Sequence, residues 1–218
     1  MLAAASLALA PLALAGCGGE AEPPERLLDG SPPLPPPVRL EGVTGPVVLT
    51  KARALRPADG SPRLEACAAE HGTDPVAAVE RVGVGWESVT LRDRSGRWLF
   101  ACDDTAGPRV EGRRWCGGAA GRLVGGVLRD PRLDVLCRDE GGERVAFAWL
   151  QPGAGTAYVA VRRGDVVEAY EPAAGLPVRV YTAEGVREDP LGAAFAVSEH
   201  DAGGRLLREY RLEAVPAG

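Results

Sequence analysis

From Trp86 to Glu213 the chain is broken about every 8–12 residues by turns built on Gly and Asp, and the pieces between them are short and apolar. Trp86–Arg92 and Arg97–Asp103 flank Asp93-Arg94-Ser95-Gly96. Leu133–Arg138 and Arg144–Leu150 flank Asp139-Glu140-Gly141-Gly142. Both tetrapeptides have the composition of a four-residue hairpin connection. Further strands are expected at Thr156–Arg162, Val166–Tyr170, Pro177–Thr182, Ala193–His200 and Arg205–Glu213. Within Arg144–Leu150, Val145, Phe147 and Trp149 alternate onto one face while Ala146, Ala148 and Leu150 occupy the other. A strand apolar on both faces belongs inside a two-layer packing.

All four Trp lie between residues 86 and 149, and no aromatic residue precedes Trp86, so the core belongs to the β region. The expected fold is mainly β, a β-sandwich or partly open barrel with one or two short N-terminal helices; α+β is the alternative. Val38–Thr50, with Val47-Val48-Leu49, reads as an entry strand. Ser61-Pro62 has the signature of an N-cap followed by Pro at the first helical position. Leu64, Cys67 and Ala68 then share a helical face, and Gly72 ends the helix. Asp74-Pro75 is expected to start a second short helical turn through Val76, Val79 and Arg81. The pattern D-x-x-G-R at 93–97 and 201–205 is shared turn chemistry, too short to be a repeat.

Residues 2–15 form an uncharged apolar run ending in small residues. A membrane helix needs about 20 apolar residues, so this run has the length of a signal-peptide core. Only Met1 precedes it, with no Lys or Arg, so a true start further upstream is expected. The run ends in Leu14-Ala15-Gly16-Cys17, which resembles the lipobox of bacterial lipoproteins. That resemblance implies cleavage before Cys17 and a diacylglyceryl group on its thiol, anchoring the chain outside the cytoplasm at the cell membrane. Two acyl chains matter, because burial gains about 0.8 kcal/mol per CH₂ and one chain holds only marginally. The expected organisation is a signal peptide over 1–16, a Pro/Glu/Gly-rich tether over 17–37 and one mostly β globular domain over 38–218. The prolines of the tether favour an extended spacer.

Beyond Cys17 four cysteines remain: Cys67, Cys102, Cys116 and Cys137. An even number in an exported chain reads as two disulfides. Cys67–Cys102 with Cys116–Cys137 is the favoured pairing; Cys102–Cys116 with Cys67–Cys137 stays open. A zinc site would need a C-x-x-C or a nearby His pair, and the sequence has neither. Segments such as Leu64-Glu65-Ala66-Cys67 and Leu99-Phe100-Ala101-Cys102-Asp103 are similar to those of uncharacterised actinobacterial lipoproteins, a resemblance that implies no activity.

The net charge of -5 provides no basic face for nucleic acid. Lys and Arg total 25 with Lys51 the single Lys, a skew that follows from G+C-rich coding and carries no evidence of phosphate recognition. His71 at the helix end is suited to the helix dipole. Ser198-Glu199-His200-Asp201 contains triad residue types, but adjacent strand positions alternate faces and form no triad by themselves. Gly83-Val84-Gly85 lacks the third glycine and the βαβ setting of a phosphate loop. Trp115 beside Arg113 and Arg114 reads as a Trp packed near a disulfide rather than a ligand-facing patch. Asp103, Asp104, Asp134, Asp139 and Glu140 offer paired carboxylates without the spacing of a calcium loop.

Two functions follow as expectations. The first is a non-catalytic interaction or binding module, with no cofactor or metal, whose partners are the membrane through Cys17 and an envelope protein or cell-wall polymer. The second is an envelope hydrolase using the carboxylates.

Overall fold

The computed structural model describes residues 38–107, 114–128, 133–163, 165–182 and 194–213. The apolar run, Cys17 and the proline tether lie outside the described residues.

The alternation read from the sequence becomes a long, mixed sheet packed on a short one. The strands of the long sheet are β1 (Val47–Leu55), β2 (Pro75–Gly83), β3 (Trp86–Asp93), β4 (Trp98–Thr105), β5 (Gly117–Val124), β6 (Val127–Leu128), β9 (Tyr158–Arg163), β10 (Val166–Tyr170), β12 (Ala194–His200) and β13 (Leu206–Glu213). Their spatial order is β13-β12-β9-β10-β1-β2-β3-β4-β5-β6. The short sheet has the order β11-β8-β7, from β11 (Val178–Thr182), β8 (Arg144–Leu150) and β7 (Leu133–Arg138). Every strand neighbour is antiparallel except β1 and β10, which run parallel from Val47↔Val167 to Thr50↔Tyr170. Past Thr50, β1 pairs antiparallel with β2, from Lys51↔Val82 to Leu55↔Ala78.

The inner face of the long sheet packs on the short sheet. β8 lies at the middle, and Val145 through Leu150 are all buried, as a strand apolar on both faces requires. Trp86, Phe147, Tyr170 and Tyr181 form one aromatic cluster there, with ring centroids 5.3–6.0 Å apart. The outer face has two covers. Helix α1 (Pro62–Glu70) places Leu64 and Cys67 on Val89, Leu91 and Cys102. Leu40 packs on Ala160, Val167 and Ala169. Ser61 caps α1 through Oγ, which accepts from Leu64 N. Among the described residues, no helix is long and apolar enough to cross a membrane.

Residues 75–83 form a strand and not the second helical turn that Asp74-Pro75 announces. The helical reading groups Val76 with Val79, yet Val76 is 48% exposed and Val79 only 2%. Period two wins because both edges of the segment find partners, β1 on one side and β3 on the other. Pro75 heads the strand, where its missing N–H costs least. β5 is a strand that composition hides, since Gly117-Gly118-Ala119-Ala120-Gly121 has low β propensity. Its small residues are a packing requirement. A Cβ on Gly121 would lie 2.8 Å from Trp149 Cζ3 and 2.9 Å from Leu128 Cδ1.

The disulfides are Cys67–Cys102, tying α1 to β4, and Cys116–Cys137, tying the start of β5 to β7. The second therefore joins the two sheets. The repeated D-x-x-G-R turns are built alike. Asp93 Oδ1 accepts from Arg97 N and Trp98 N, and Asp201 Oδ1 accepts from Gly203 N and Arg205 N. In the second, Gly204 sits at φ 81°, in the left-handed region open to glycine.

Candidate functional site

Among the described side chains, the residues proposed for carboxylate chemistry do not converge. Asp103 and Asp104 are neighbours on β4 and so face opposite ways. Asp103 turns inward and is fully buried, accepting from Ser88 Oγ at 2.7 Å and from both Nε and Nη2 of Arg179. Asp104 caps the next residue, accepting from Thr105 N. Asp139 closes its own turn by accepting from Glu143 N, and Glu140 is exposed beside it. Asp134 lies in β7, and its side chain is outside the described set.

Cys67, His71 and Cys102 bring three ligand-type atoms within 4.8 Å of one another. The two sulfurs are bonded to each other, so neither is a thiolate available to a metal. His71 stacks on Phe100 with its ring centroid 4.8 Å away, and its Nε2 lies 3.2 Å from Ala101 O. Trp115 packs on the cluster that holds the Cys67–Cys102 disulfide, with Arg114 5.9 Å above its ring. Arg113 lies outside the described residues.

Two concavities stand out among the described residues, on opposite faces of the β12–β13 hairpin. The larger, about 180 Å³, lies on the inner face and is lined by Leu128, Trp149, Leu150, Gln151, Arg208, Tyr210 and Leu212. Leu128 belongs to β6 and Leu212 to β13, the two terminal strands of the long sheet. The sheet therefore curls until its two edges border one cleft, with the end of β8 as its floor. Arg208, Tyr210 and Leu212 reach it together because residues two apart on a strand share a face.

The polar side of this cleft is anchored by Glu199, which is fully buried. Its Oε1 accepts from Arg208 Nη2 at 2.5 Å and from Tyr210 Oη at 3.1 Å. Its Oε2 accepts from Gly153 N at 2.9 Å and from Thr156 Oγ1 at 2.7 Å. Burial pushes the Glu199 carboxyl upward, but these donors outweigh it and hold it below its ordinary range. The same bond raises the Arg208 guanidinium. Burial and the Glu199 charge push the Tyr210 hydroxyl well up, so it stays a donor. Arg208 also donates to Gln151 O at 3.1 Å, and its guanidinium stands 5.1 Å from the Tyr210 ring centre. The cleft thus has apolar walls and one polar corner whose geometry is fixed before anything enters.

The smaller concavity, about 70 Å³, lies on the outer face, and Ser198, Ala160, Arg162, Ala196 and Glu209 contribute to it. Ser198 and His200 share this face. Their side chains are hydrogen bonded, Oγ to Nε2, at 2.9 Å. Glu199 points the other way, and Asp201 is committed to its turn and to Arg205. No triad forms from the four consecutive residues, but a Ser–His pair does. Reading only adjacent positions misses it; the i, i+2 rule of strands finds it.

Comparison with models of known protein families, with curated proteins and with solved structures finds no match.

Proposed function

We propose that this chain is an interaction or binding module displayed on a bacterial cell envelope, held there by lipid on Cys17, that grips its partner through a non-catalytic inner-face cleft. The observation that carries this reading is the cleft itself, where Trp149, Tyr210 and Leu212 supply apolar wall and the Glu199–Arg208 pair a fixed polar corner. Concave apolar sites with few, well-placed polar groups are where proteins hold ligands. A dry cavity of about 150 Å³ accommodates a benzene-sized molecule, so about 180 Å³ takes one apolar side chain or ring. The occupant is a single protruding group of an envelope protein or cell-wall polymer, not a free substrate of any size. The carboxylate-hydrolase reading has no comparable support, since Asp103 is spent on Arg179 and Glu140 stands apart on a turn.

Two experiments test the two halves. A photo-crosslinking residue at Leu212, irradiated in intact cells, is expected to trap one partner, and Leu128→Trp, which fills the cleft, should abolish the trapping. Recovery of nothing, together with turnover in a panel of envelope substrates, overturns the binding half. Fatty-acid labelling of cells should mark the chain and fail with Cys17→Ala. Equal labelling of both refutes the anchor.

A further inference from the structure

The outer-face concavity lies across the sheet from the cleft and does not enter the reading above. His200 is fully buried and has a partner at each ring nitrogen: Nδ1 lies 3.2 Å from Gly204 O, and Nε2 lies 2.9 Å from Ser198 Oγ. A carbonyl oxygen only accepts, so in the neutral ring the proton sits on Nδ1 and Nε2 is left as the acceptor. The Ser198 hydroxyl therefore donates to Nε2. A nucleophile, a base within hydrogen-bond reach and a third group that fixes the base is the arrangement that activates a serine. The third group here is a backbone carbonyl, itself held in the Asp201 turn, where Gly204 N donates to Asp201 O.

The surroundings define what can reach Ser198. The wall mixes small apolar residues, Ala160, Val167 and Ala196, with the carboxylates of Glu41 and Glu209, and the space of about 70 Å³ admits only a short chain. Glu209 is the direct cross-strand neighbour of Ser198 and disfavours a donor carrying negative charge beside its carbonyl. Arg162 lines the same space, where its positive charge is placed to meet developing oxyanion charge.

We propose that Ser198 is an acyl-accepting nucleophile for neutral short-chain esters, with His200 as its base. Ser198 Oγ attacks the ester carbonyl carbon and its proton passes to His200 Nε2. The bond from that carbon to the alcohol oxygen breaks, the alkoxide leaves with the proton from Nε2 as a free alcohol, and the acyl group stays on Oγ. The step needs no co-reactant besides the ester. It is independent of whether the inner-face cleft holds a partner.

The test is reaction of the folded chain with 4-nitrophenyl acetate and with a fluorophosphonate probe, followed by peptide mapping. The expected result is one modification per chain, on Ser198, absent in Ser198→Ala and at least about 100-fold slower in His200→Gln. Labelling of Ser198 that persists where crosslinking through Leu212 traps nothing, or the reverse, separates this proposal from the binding reading. Modification no faster than that of the unfolded chain, or unchanged in Ser198→Ala, overturns it. Should His200→Gln fail to fold, Ser198→Cys decides. Its thiol should react with iodoacetamide at least about tenfold faster in the folded than in the unfolded chain, because a neighbouring base promotes the thiolate. Equal rates overturn the proposal.

Discussion

Arg179 of β11 and Asp103 of β4 meet across the two sheets with both side chains wholly removed from water. The guanidinium donates through Nε and Nη2 to the two carboxylate oxygens and lies 4.8 Å from the Trp149 ring centre and 5.5 Å from that of Phe147. Removing one partner of such a pair strands a buried charge and costs about 3–5 kcal/mol, whereas apolar replacement of both is often neutral. Asp103→Leu is therefore expected to lower unfolding free energy by about that amount. Asp103→Leu with Arg179→Met should recover most of it, as read by urea denaturation.

The disulfides divide their work. Cys67–Cys102 closes 35 residues and Cys116–Cys137 closes 21. In the chain-entropy account these loops contribute about 4 and about 3 kcal/mol respectively. Replacing either pair with serine should lower the melting temperature. Only loss of Cys116–Cys137 should weaken the attachment of the short sheet, seen as faster amide exchange in β7 and β8.

Glu199 makes stability depend on pH in a stated direction. Its carboxyl is held low in the folded chain, so its stabilisation is present above the ordinary carboxylate range of about 4 and is lost as pH falls through the lower folded value. Unfolding free energy measured from pH 7 to pH 2 should fall along this acid limb. Glu199→Gln should flatten the limb and lower stability at pH 7 by roughly 1–3 kcal/mol, the contribution of hydrogen bonds to a charged group. An unchanged acid limb in the variant contradicts the assignment.

Gly121→Ala tests how closely β5 packs on β8. The added methyl would press on both Trp149 and Leu128, two walls of the cleft, so one must move. Overpacking of this kind costs about 1–3 kcal/mol. The expected signature is a shift in Trp emission together with loss of crosslinking through Leu212.

Much of the fold was legible because it is local. The 93–96 turn and the two-faced apolar stretch Val145–Leu150 carry their own instructions in spacing and turn residues. Residues 75–83 were misread because Pro75, two alanines and three valines fit either period, and only the flanking strands decide between them. The inner-face cleft was hidden for a different reason. Leu128 and Leu212 meet there through the accumulated curl of ten strands, a quantity no short window of sequence contains. Glu199 gave half its signal, since Arg208 and Tyr210 lie across the hairpin, while Gly153 and Thr156 come from more than forty residues away.

The double allegiance of β1 sets a schedule for acquiring the fold. Strands β2 through β6 can zip as successive hairpins while the rest of the chain is still absent. β1 itself must wait for a partner roughly 120 residues downstream before its first half is paired. Until β10 arrives, Val47–Thr50 is an open strand edge next to a finished meander, the condition in which chains aggregate. A chain delivered N-terminus first thus passes through a half-built stage, and the slow step of its folding is expected to be the docking of β10 on β1.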